Sequence, residues 1–167
     1  MNLKETILEE HSKKQCDKIV KYIGNNKDRF AELMKLFFAG EYRVTQRAAW
    51  PMSYCVRNHP ELIKPYFKPL LDNLSKKGIH GAIIRNTVRL LQDVEIPKKY
   101  HGKVMDECFR FIQSHETEVA IKAFSLTILH NLSKQYPEIL PELKLIIEER
   151  WEHETAAFRS RAKKILK

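Results

Sequence analysis

Histidine and glutamate stand side by side at His115-Glu116 and again at His153-Glu154. On a helix that pair opens the zinc-hydrolase pattern His-Glu-x-x-His, in which two imidazoles one turn apart hold the metal and the glutamate activates its water. Val119 and Ala157 occupy the position of the second histidine, so neither copy completes a metal site. Cys16, Cys55 and Cys108 include no Cys-x-x-Cys pair. With only 5 glycines there is no Gly-x-Ser-x-Gly elbow and no phosphate-cradling loop. These patterns predict no catalytic residue, no metal ligand and no cofactor. The cysteines are odd in number and far apart, which predicts buried free thiols in a reducing compartment rather than a disulfide framework.

The two His-Glu pairs recur because they belong to a repeat. His115-Glu116-Thr117-Glu118-Val119-Ala120-Ile121-Lys122 is restated by His153-Glu154-Thr155-Ala156-Ala157-Phe158-Arg159, and the same slot stands upstream in Gln46-Arg47-Ala48-Ala49 and Ile84-Arg85-Asn86-Thr87. Basic residues 47, 85, 122 and 159 are thus spaced by 38, 37 and 37. Pro60-Glu61-Leu62-Ile63 likewise returns as Pro137-Glu138-Ile139-Leu140 at a distance of 77, two periods on. A period of this length is that of stacked helix pairs. The His-Glu pairs then need no ligand, because a polar loop with Thr117 and Thr155 as caps suits a helix start.

The elements that must carry this slot can be read from the apolar spacing. Residues 3–10 form a helical lead-in, and Ser12-Lys13-Lys14-Gln15 has the form of a capping box that opens a helix to about Ile23. Further helices are expected over about 27–39, 42–58, 60–76, 79–93, 97–114, 117–135, 137–151 and 155–167. Pro51 should bend the third of these full helices, and Pro65 and Pro69 should kink or split the next. Expected core stripes include Phe30, Leu33, Met34, Phe37 and Phe38; Val104, Met105, Cys108, Phe109 and Ile112; and Ala120, Ala123, Phe124, Thr127 and Leu132. No stretch alternates like a β-strand, so the expectation is an all-α chain of about nine helices paired antiparallel.

An outer helix opened by proline, a tight turn, and an inner helix of the form Ala/Val-x-Arg/Lys-x-Ala resembles the HEAT repeat family. The resemblance covers most of the chain and is weakest before residue 27; Pro51 and the extra outer prolines depart from the pattern. It implies a right-handed α-α superhelix, a single domain over 1–167 with repeats near 12–40, 42–77, 79–116 and 117–154 and a terminal helix at 155–167. Inner helices would line its concave face. On that basis the net charge of +9 divides unevenly: the inner segments sum to +13 and the outer segments to 0. The last inner helix alone carries +5, which as a solvated cap would also keep an open end of the stack soluble.

The residues placed along such a groove are Lys13, Arg43, Arg47, Arg85, Arg89, Lys122, Arg159 and Lys163. For Arg47, Arg85, Lys122 and Arg159 a second role fits equally: binding neighbouring loop carbonyls or acids and so tying one repeat to the next. Trp50, close to Arg47, either offers a stacking face or fills the core, and Trp151 is expected to cover the last helix pair. The layout also resembles the HEAT-like DNA alkylation repair glycosylases, whose activity implies an aspartate beside tryptophans. The inner segments offer only Asp17 and Asp93, neither beside a Trp, so the resemblance carries the fold and not the chemistry. Two functions follow as expectations: a non-enzymatic scaffold whose basic groove selects an acidic protein or peptide, or a nucleic-acid binder that contacts phosphates, in repair or maintenance. No run reaches the length of a membrane span, and Met1-Asn2-Leu3-Lys4-Glu5 lacks the form of a signal peptide, which together predict a cytoplasmic protein with no membrane partner.

Overall fold

The computed structural model describes Met1–Lys167. It contains ten α-helices, four short 3₁₀ segments and no strand. The backbone falls into two units, Met1–Val94 and Glu95–Lys167.

In the first unit the helices are α1 (Leu3–Glu9), α2 (Lys13–Ile23), α3 (Lys27–Phe38), α4 (Tyr42–Asn58), α5 (Phe67–Ser75) and α6 (Gly81–Leu91). α4 is the centre, packed by α1, α2, α3 and α6. Its buried stripe is Val44, Ala48, Ala49, Met52, Cys55 and Val56, small enough to let neighbouring helices approach. α3 faces it with Phe30, Leu33, Met34 and Phe37, all at or below 1% exposed. Truncating one such phenylalanine to alanine costs about 3–5 kcal/mol.

The boundaries have local causes. Ser12 Oγ accepts the Gln15 N–H as the capping motif requires, but the Gln15 amide turns away to donate to the Thr6 carbonyl, so only half of the box forms. Asn26 Oδ1 accepts the N–H groups of Asp28 and Arg29 and starts α3. α4 continues through Pro51. The prolines after His59 act more strongly: Pro60–Tyr66 is 3₁₀, and regular α-helix resumes only at Phe67. Gly40 (φ 77°) and Gly78 (φ 78°) follow α3 and α5, one repeat apart. Each adopts the left-handed conformation that releases the chain toward the next inner helix.

The second unit holds α7 (His101–Gln113), α8 (Val119–Ser133), α9 (Leu140–Arg150) and α10 (Ala156–Leu166). α8 lies between α7 and α10 and is the most buried of these. Its inward register differs from the expected one. Ile121, Ala123, Leu126, Ile128, Leu129 and Leu132 are buried, whereas Ala120, Phe124 and Thr127 are only half-buried. A helix covered on two sides has no single apolar stripe, so periodicity could not fix its rotation. Thr155 caps α10 by accepting the Phe158 N–H, but Thr117 does not cap α8, whose preceding residue is Glu118. In α7, Phe111 takes the buried place, and Met105 and Phe109 are left half-exposed.

Candidate functional site

Each residue of the basic slot sits near the start of an inner helix, where a long cationic side chain reaches the polar end of a neighbouring helix. Arg47 Nη1 donates to the carbonyls of Leu8 at 2.9 Å and Ile7 at 3.3 Å. Those are last-turn acceptors of α1, with no partner inside that helix, and a cation there also complements the helix dipole. Arg85 donates to Gln46 Oε1 at 2.6 Å, an oxygen that also accepts from buried Asn86 at 3.2 Å, so the contact ties α6 to α4.

In the second unit Arg159 Nε donates to the Trp151 carbonyl at 2.8 Å, and its guanidinium lies 5.8 Å from the Trp151 ring centre. Trp151 thus closes the turn between α9 and α10. Lys122 is 5% exposed and donates to Glu154 Oε1 at 3.0 Å. The same carboxylate accepts from Arg150 at 2.6–2.7 Å. Arg150 also reaches the Gln113 carbonyl, which closes the end of α7. Lys122 therefore belongs to a buried ionic network and is closed to a partner, unlike its expected place on a groove. Glu154 explains one His-Glu pair: its carboxylate anchors two inward cations.

The basic residues left facing solvent are those one turn from the slot. Arg43, Arg89 and Lys163 are exposed, and their side chains have no ion pair or hydrogen bond. On α4 the open stripe runs Arg43, Trp50, Tyr54 and Arg57, with Arg47 between them already engaged by α1. The Tyr54 ring has Lys13 Nζ 4.5 Å and the Arg57 guanidinium 5.1 Å from its centre, an arrangement no sequence spacing signalled because Lys13 comes from α2. Lys13 also pairs with Asp17, whose hydrogen bond raises the lysine pKa above its ordinary value. Trp50 is half-buried, edge-on to His11 at 5.2 Å, so it is neither a core residue nor a fully open stacking platform. α4 and α6 together carry five arginines and no acid.

Cys16, Cys55 and Cys108 are buried free thiols. Burial pushes them up to about 11, 12 and 12 respectively. They are unsuited to nucleophilic or metal chemistry near neutral pH. No three His, Cys, Asp or Glu side chains converge on a position that could hold a metal ion. Buried His101 is used structurally: Nε2 lies 2.7 Å from the Ile96 carbonyl, which can only accept, so Nδ1 is left to accept from the Tyr136 hydroxyl at 2.9 Å.

A family model described as HEAT repeat domain matches residues 3–167. The chain belongs to the HEAT repeat family, helical-repeat scaffolds that generally mediate protein interactions and are typically non-catalytic. No curated protein and no solved structure matches it. No helix is long and apolar enough to cross a membrane.

Proposed function

We propose that this HEAT repeat chain is a non-enzymatic scaffold that binds an acidic segment of a partner protein through the basic face of α2, α4 and α6. The observation that carries this reading is the open stripe of α4. It combines unpaired Arg43 with the Lys13–Tyr54–Arg57 stack, and neither α4 nor α6 contributes a carboxylate to oppose an acidic ligand. Half-buried Trp50 and Tyr54 add apolar contact area between the charges, which suits a peptide carrying both acidic and apolar side chains.

Charge accounting favours a protein over nucleic acid. Arg47 and Arg85 are engaged inside the unit, which leaves Arg43, Arg57 and Arg89 as the open arginines of α4 and α6. With Lys13 counted as well, about four phosphate contacts would give a salt slope near −4, below the six to ten contacts at which salt dependence becomes steep.

The test compares a fluorescein-labelled peptide of alternating Glu and Leu with a mixed-sequence DNA oligonucleotide, by anisotropy, across a salt series. The Arg43→Glu/Arg89→Glu protein serves as the control. Peptide binding that the double reversal weakens about tenfold or more supports the proposal. Equal binding by the double mutant removes this face from the account. A tighter complex with the oligonucleotide, and a steep log–log salt slope, transfers the face to nucleic acid.

A further inference from the structure

The second unit has a surface of opposite character. Between α7 and the Pro137–Ile139 turn leading into α9 lies an open groove of about 590 Å³, lined chiefly by Gly102, Met105, Asp106, Phe109, Ile139 and Glu142. Its origin is visible in the helix pattern. Met105 and Phe109 continue the apolar stripe of α7, but α7 and α9 touch only briefly, so both side chains remain half-exposed. Gly102 widens the upper end: a Cβ built there would meet nothing within 4 Å.

The groove has a matched pair of walls. Asp106 stands on one side and Glu142 on the other, both exposed and neither held by an ion pair. Arg110 also lines the groove, but its charge is offset by Glu107, to which its Nε donates at 2.9 Å. One turn beyond Glu142, Leu145 is 54% exposed. Of the six glutamates in the segment 137–154, which carries −4 in a chain of +9, Glu142 is the one that lines the groove.

We infer that this groove receives an amphipathic helix of a partner protein whose apolar face is flanked by lysine or arginine. The lining residues of α7 are 102, 105, 106, 109, 110 and 113, three turns of one helix face. They form a trough of about 17 Å, the length of an eleven-residue helix. Apolar anchors at i, i+3/4 and i+7 of the occupant meet Phe109, Met105 and Ile139, and its basic flanks meet Asp106 and Glu142. This surface lies outside the basic face of the first unit, and its occupant has the opposite charge.

The experiment uses the full chain and two labelled fourteen-residue peptides that share a leucine face, one flanked by lysine and one by glutamate. Binding is read by anisotropy, and the site by amide chemical shifts. The lysine peptide is expected to bind, with shifts confined to 102–114 and 139–145. Asp106→Lys/Glu142→Lys should weaken it about tenfold or more. Gly102→Trp, which fills the trough without touching its charges, should abolish binding, and Arg43→Glu/Arg89→Glu should leave it unchanged. Equal affinity for the glutamate peptide overturns the inference. So does a full response in Gly102→Trp, absence of binding at millimolar peptide, or concentration-dependent dimerisation that buries the groove.

Discussion

Replacing Glu154 by glutamine tests whether Lys122 is a structural cation. The Glu154 side chain is 4% exposed and serves the side chains of Lys122, 6% exposed, and Arg150, 10% exposed. Glu154→Gln is nearly isosteric, so packing is kept while two buried cations lose their only counter-charge. Breaking a buried pair in this way costs about 3–5 kcal/mol, because the remaining charge is neither hydrated nor neutralised. Lys122→Met is the contrasting change: it removes one cation and leaves Glu154 paired with Arg150, with an expected cost of about 1 kcal/mol or less. The double mutant should then be more stable than the glutamine variant, with a coupling on the order of 2 kcal/mol. Urea unfolding measures all four proteins in a Trp50→Phe background, where Trp151 reports on its own unit. The glutamine variant should lose on the order of 2 M in midpoint. Additive single effects, or a glutamine variant within about 1 kcal/mol of the parent, would refute the network as described and reopen Lys122 as a ligand-facing residue.

Three further outcomes are expected. Arg47→Met should destabilise the first unit by about 1–2 kcal/mol, since two last-turn carbonyls of α1 lose their donor, whereas Arg43→Met should change urea stability by less than about 0.5 kcal/mol. Gly78→Ala should cost about 1 kcal/mol because φ is 78°, and Gly102→Ala, helical and unobstructed, should gain about 0.5–1 kcal/mol; thermal melts read both signs. The thiols should resist a chromogenic disulfide reagent at pH 8 until the protein is unfolded. Unfolded thiols ionise near 9.0 and the folded ones only near 11–12, so the folded state binds the protons more tightly. Their contribution is fully present below pH 9 and is lost as pH rises toward about 12, which a urea series at increasing pH would show as falling midpoints.

The repeat was legible because its signals are local. Prolines at helix starts, glycine after α3 and α5, and apolar residues every three or four positions each act within one turn of chain, and the helix bounds follow them within about two residues in most cases. The site was legible only in part, for a reason that lies in side-chain length. An arginine at residue 47 and an arginine at residue 43 look alike in a sequence, yet the first reaches α1 carbonyls that exist only after the chain has folded back by about 40 residues. The spacing of 37–38 marked the slot but was silent on direction, because the same periodicity arises whether a cation meets a ligand or the end of the preceding helix. The residues that remain open, Arg43, Arg57 and Arg89, follow the repeat less strictly, as expected if the slot itself is fixed by packing and the neighbouring turn is free to suit a partner. The apolar face of α7 makes the converse point. Met105 and Phe109 obey the stripe that normally enters a core, and nothing in their spacing reveals that α9 lies too far away to cover them. Burial depends on the neighbour's distance as much as on the residue's own pattern, so an apolar position that keeps its helical period but loses its cover is where a binding surface and a core are indistinguishable in sequence.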